Sequence, residues 1–216
     1  MTTTTQASAR RLSIVLSPFS RARSSALIVR PDESEDSSRF AHLYRLDPAE
    51  ALRFCDDRLR LADPANLTEG VRWSSRVAMC QRALKSFRES ARTHLLAEPL
   101  VRLITDPLVR GNHHNGRGFA LAGLGDYEGA IKAHESARDF FIKGECLEYA
   151  AAAENNLGVV LIKSGRPEKA LPLIERAMKT AERLEQFELA EECADTLRQA
   201  YASLSSGERA APQRGK

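Results

Sequence analysis

Four histidines make the chain's best case for chemistry: the adjacent pair His113-His114, flanked by His94 and His134. A neutral imidazole nitrogen is both a metal ligand and a proton acceptor, so such residues suit metal binding or general base work. Adjacent helical residues, however, point about 100° apart, whereas residues at i and i+4 share a face. The pair is therefore not expected to share one ligand site, and no metal is expected. The four cysteines, Cys55, Cys80, Cys146 and Cys193, form no C-x-x-C pair and read as reduced, packed thiols. There is no G-x-S-x-G, no phosphate-binding glycine loop and no dinucleotide fingerprint. No catalytic residue and no cofactor is expected, and the chain does not read as an enzyme.

The elements that carry these residues are legible in the stretch NNLGVVLIKSGRPEKAL, from Asn155 to Leu171. Shifted by 40 positions, Asn115, Gly118, Leu121, Gly125, Glu128 and Ala130 fall on Asn155, Gly158, Leu161, Gly165, Glu168 and Ala170. The match continues through Ala137 and Ala177 to Ala150 and Ala190. A period of this size is the mark of a solenoid. Gly125 and Gly165 suit the left-handed residue that ends a helix, Asp126 can cap the next one, and Pro167 fits a first turn. Gly118 and Gly158 fall inside helices, where each costs about 1 kcal/mol against Ala, so a neighbouring helix backbone is expected to approach there.

Helices are expected over 47–62, 68–84, 86–104, 107–123, 126–143, 146–164, 167–185 and 187–204. The first opens on Asp47-Pro48-Ala49-Glu50, an N-cap followed by a first-turn proline. Pro99 and Pro172 are expected to kink their helices. The His113 position aligns with Ala153 and Cys193, which points to burial rather than to a ligand site.

The spacing of Leu157, Gly158, Leu161, Gly165, Ala170, Ile174 and Ala177 resembles the tetratricopeptide repeat in a variant of about 40 residues, similar to repeats of kinesin light chains and of bacterial regulators. Arg117 departs from the pattern, which has an apolar residue there. The resemblance implies an all-α, right-handed superhelix of αα-hairpins, with about three to three and a half repeats and a flanking N-terminal helix. It also implies a concave groove lined by the first helix of each hairpin. At matching positions that groove would present Ser75, Arg76 and Met79, then Asn112, Asn115 and Phe119. Further along it would present Asn155, Asn156, Val159 and Lys163, and finally Asp195 and Gln199. Amide side chains both donate to and accept from a peptide backbone. The expected role is a protein–protein interaction scaffold that holds a peptide or helix, and the alternative is a sensor or regulatory module of a bacterial transcription or signalling system, open to nucleic-acid contact through Arg-rich surfaces.

Composition sets the outer limits. With 43% apolar and 28% charged residues in 216, one solenoid at 41–204 is expected, with poorly ordered tails at 1–40 and 205–216. The first 31 residues hold five arginines and no acid, so the rest of a chain of net charge +3 carries about −2. This tail reads as a loose end or a misplaced start, and more faintly as an export or transit segment. Its apolar run, Leu12 to Phe19, is too short to span a bilayer. Arg72, Arg76 and Arg82 form a modest basic stripe, too little for a dedicated nucleic-acid binder. The expected partner is a protein or peptide, neither nucleic acid nor membrane, in the cytoplasm, with room for self-association through the end helices.

Overall fold

The computed structural model describes residues 35–207. The expected tails lie outside the described residues, except where each runs into a helix. Among the described residues nine helices follow one another with no strand: α1 (Glu35–Leu46), α2 (Pro48–Leu61), α3 (Leu67–Ala83), α4 (Phe87–Leu103), α5 (Pro107–Gly123), α6 (Tyr127–Lys143), α7 (Leu147–Lys163), α8 (Pro167–Arg183) and α9 (Phe187–Ser205). Each packs on the next in sequence, and α3 also touches α5 as α7 touches α9. That pattern is a row of hairpins in which the first helices pack in two pairs, α3 on α5 and α7 on α9.

Local chemistry sets the helix ends. Asp47 accepts hydrogen bonds from the Ala49 and Glu50 amides, and Pro48 opens α2. Asp126 accepts from Gly129 N at 2.9 Å to start α6, and Asp106 does the same for α5 through Leu108 N at 2.9 Å. Gly125 and Gly165 are left-handed, at φ 80° and 74°, and Lys85 takes the matching place in the preceding hairpin at φ 61°. The opposite turns repeat likewise, with Glu145 at φ 55° and Glu185 at φ 56°. The 40-residue period is thus written in the backbone even where the side chain is not glycine.

Two expectations change. The helical unit begins at Glu35 rather than 41: α1 buries Ser37, Phe40 and Tyr44, and its two aromatic rings join Trp73, Val77 and Met79 in one cluster. The segment is only twelve residues long, and its apolar residues Phe40, Leu43 and Tyr44 make too short a stripe to be read as a helix of the stack. Second, the close neighbour of each mid-helix glycine is a side chain and not a backbone. A Cβ on Gly158 would lie 2.4 Å from Ile174 Cγ1, and one on Gly118 would lie 2.6 Å from the His134 ring. The second helix of each hairpin thus inserts a side chain into a notch in the first. Pro99 and Pro172 sit exposed inside α4 and α8, and both helices continue through them.

Candidate partner-binding face and a histidine seam

Helices α3, α5, α7 and α9 carry every residue expected in the groove. Lys163 and Gln199 are exposed, while Ser75, Asn112, Val159 and Asp195 are half-buried. Arg76, Met79, Asn115, Phe119, Asn155 and Asn156 are buried. Several of these buried residues tie neighbouring helices together. Arg76 stacks its guanidinium over Trp73 at 4.3 Å and donates to Ser37 Oγ at 2.7 Å, so it ties α3 to α1. Phe119 lies beneath the Arg82 guanidinium at 4.5 Å and meets the His134 ring edge-on. The Asn115 amide oxygen accepts from His134 Nδ1 at 2.8 Å and from Asn156 Nδ2 at 3.2 Å, which joins α5, α6 and α7.

Two amide oxygens on this face have no hydrogen-bond partner among the described residues: Oδ1 of Asn112 and Oδ1 of Asn155. An amide carbonyl buried without a donor costs on the order of 1–3 kcal/mol, so each is an uncompensated acceptor, enclosed by the side chains around it. The basic stripe, by contrast, does not form. Arg76 and Arg82 are 4% and 3% exposed, and Arg72 faces Asp106 at 3.8 Å. Helical spacing placed the three arginines on one face, but that face is the seam where α3 meets α1 and α5.

A second group of functional side chains gathers where α4 meets α5. His113 is fully buried, with Nε2 3.2 Å from Glu98 Oε2 and Nδ1 3.4 Å from Nδ1 of His94. His114 stacks flat on Phe140 at 5.3 Å, and ligand atoms of Glu98, His113 and His114 all lie within 4.8 Å of one another. Gly116 makes room for the His94 ring, since a Cβ there would come within 2.8 Å of it. Burial and the neighbouring His114 bring His113 down to about 4, and burial alone dominates in bringing His134 down to about 3. For Glu98, burial works upward, but His114, His113 and Arg117 outweigh it and hold the carboxyl below its ordinary range. These are neutral imidazoles beside an ionised carboxylate.

Residues 109–183 match the family model described as Tetratricopeptide repeat. That segment, about a third of the chain, carries tetratricopeptide repeats. Among solved structures, the stack is similar to BtubC (BKLC) from P. vanneervenii, with a TM-score of 0.58 and 20% identity over 82% of this chain and 70% of that one. It is also similar to a Podosopora anserina putative kinesin light chain with nearly identical TPR-like repeats, with a TM-score of 0.59 and 13% identity over 81% of this chain and 96% of that one. No curated protein matches. None of the described helices is long and apolar enough to cross a membrane.

Within the helical stack, sequence spacing missed the partners that come from a neighbouring helix. Glu98 reaches the histidine pair from α4, 15 positions before His113. Glu154 is held by Arg176 of α8 through bonds of 2.7 to 3.0 Å, at the edge of a cleft of about 570 Å³ between α6, α7 and α8. An α-helical pattern shows which residues share one helix face; only the hairpin packing shows which acid of the next helix meets them.

Proposed function

We propose that the tetratricopeptide stack is a protein–protein interaction module that holds a segment of extended polypeptide along the face shared by α5 and α7. The observation that carries this reading is the pair of unpartnered amide oxygens on Asn112 and Asn155, one on each helix. An extended backbone presents N–H donors at regular intervals, and the two acceptors, once the side chains that enclose them move aside, would read its direction and register while tolerating many side chains. Val159 offers a half-buried apolar contact beside them, and Lys163 and Gln199 supply polar ends further along. At an acceptor already desolvated, a new hydrogen bond has only the partner's own N–H left to strip of water.

A library of displayed random peptides selected against the full chain tests the reading. The expected result is enrichment of peptides that bind the parent chain, with binding weakened by about tenfold or more when Asn112 and Asn155 are both replaced by Ala. Circular dichroism of the double variant must stay helical for the comparison to count, since Asn155 is buried and its replacement by Ala leaves a small cavity. Equal binding by parent and double variant would rule the two amides out as the gripping groups.

A further inference from the structure

We propose that Glu98, His113 and His114 form a binding site for one divalent transition-metal ion of the zinc class, which clips α4 to α5. The donor set is two imidazoles and one carboxylate, the set that zinc takes with a fourth position left for water. Distance supports it. Metal–nitrogen and metal–oxygen bonds of about 2.0–2.2 Å, arranged tetrahedrally, separate adjacent ligand atoms by about 3.3–3.5 Å. Glu98 Oε2 and His113 Nε2 already stand 3.2 Å apart, and the His114 nitrogen lies within 4.8 Å of both, a gap that rotation of its ring can close.

The surroundings fit as well. In the metal-bound form, His113 Nδ1–H would donate to His94 Nδ1, now 3.4 Å away, which fixes the ring and frees Nε2 as a ligand. The ion would take the place of the proton that His113 Nε2 shares with Glu98. His114 now stacks on Phe140, a contact that its rotation toward the ion would loosen. Burial keeps both imidazoles neutral, which is the form that binds a metal. Arg102 and Arg117 stand 3.6 and 3.7 Å from the Glu98 carboxylate from side chains that are 74% and 36% exposed, so both can swing outward when a cation arrives.

The test uses the full chain, free of any affinity tag, titrated with Co²⁺ alone and then with Zn²⁺. The expected result is one Co²⁺ per chain with the strong visible bands of a tetrahedral site and no thiolate charge-transfer band, displaced by Zn²⁺, together with a rise in melting temperature. Glu98→Gln and His114→Gln should each weaken binding at least tenfold, while His42→Gln, a change in an exposed residue of α1, should leave it unchanged. The proposal is overturned if the parent chain binds no Co²⁺, if thiolate bands dominate, or if both ligand variants bind as the parent does. Glu98→Gln preserves shape, and circular dichroism of each variant separates lost binding from lost folding.

Discussion

His134 stands where the next hairpin carries Ile174, and both fill the notch left by a glycine of the preceding helix. The proton on its Nδ1 goes to Asn115, while Nε2 has no partner, so the ring is held neutral in an apolar notch. Its folded value of about 3 lies below the ordinary 6.5. Between those two values the unfolded chain binds a proton that the folded chain refuses, so stability is fully present above about pH 6.5 and is lost as pH falls toward 3. His113, at about 4, adds in the same direction. Urea denaturation should therefore show a falling midpoint from pH 6.5 to 4.5, and His134→Ile should flatten that slope. An unchanged slope would mean that His134 titrates normally in the fold. At this scale the sequence told less. The alignment of His113 with Ala153 and Cys193 showed that it is buried, but the groove positions drawn from the repeat include Phe119 and Asn115, whose contacts run to His134 on α6 and to Arg82 and Asn156 on adjoining helices.

Helices and turns were far more legible, because many of their ends have a local cause. Capping aspartates, first-turn prolines and the left-handed glycines act within a few residues of where they are written, so all helices from α2 onward begin and end within two residues of expectation. Only α1 escaped, since its apolar stripe of Phe40 and Tyr44 makes sense only against Trp73 of a later helix. The notch is the feature of the hairpin that a mutation tests best. Because a Cβ at position 158 would stand 2.4 Å from Ile174 Cγ1, Gly158→Leu forces the two helices apart and should cost roughly 1–3 kcal/mol in chemical denaturation. A gain in stability, as expected of an exposed helical glycine, would break the hairpin register.

Across the whole molecule, stability should behave as a sum of hairpins and the seams between them. The N-terminal end is closed by α1, whose Phe40 and Tyr44 pack into the Trp73 and Met79 cluster and whose Ser37 receives the Arg76 guanidinium. A chain beginning at residue 47 should therefore melt several degrees below one beginning at residue 35, and the two should melt alike only if α1 contributes nothing to the stack. Among the described residues nothing stacks on the far side of α9. Tyr201 stands one period after Leu161 and is 52% exposed, because no described helix follows α9 as α8 follows α7. On the outer side, Leu95, Leu96 and Leu103 of α4 are each more than 60% exposed and form the main apolar alternative to the α5–α7 face as a partner surface.

Those two surfaces can be told apart by one measurement. A peptide selected on the full chain, carrying a photoreactive benzophenone at its centre, is cross-linked and the attachment points are read by mass spectrometry. If the stack holds extended polypeptide on its inner face, the links fall on α5 and α7, within reach of Asn112, Asn155, Val159 and Lys163, and disappear in the Asn112→Ala, Asn155→Ala chain. Links concentrated on Leu95 to Leu103 of α4, unchanged in that variant, would contradict an interaction module built on the amide face.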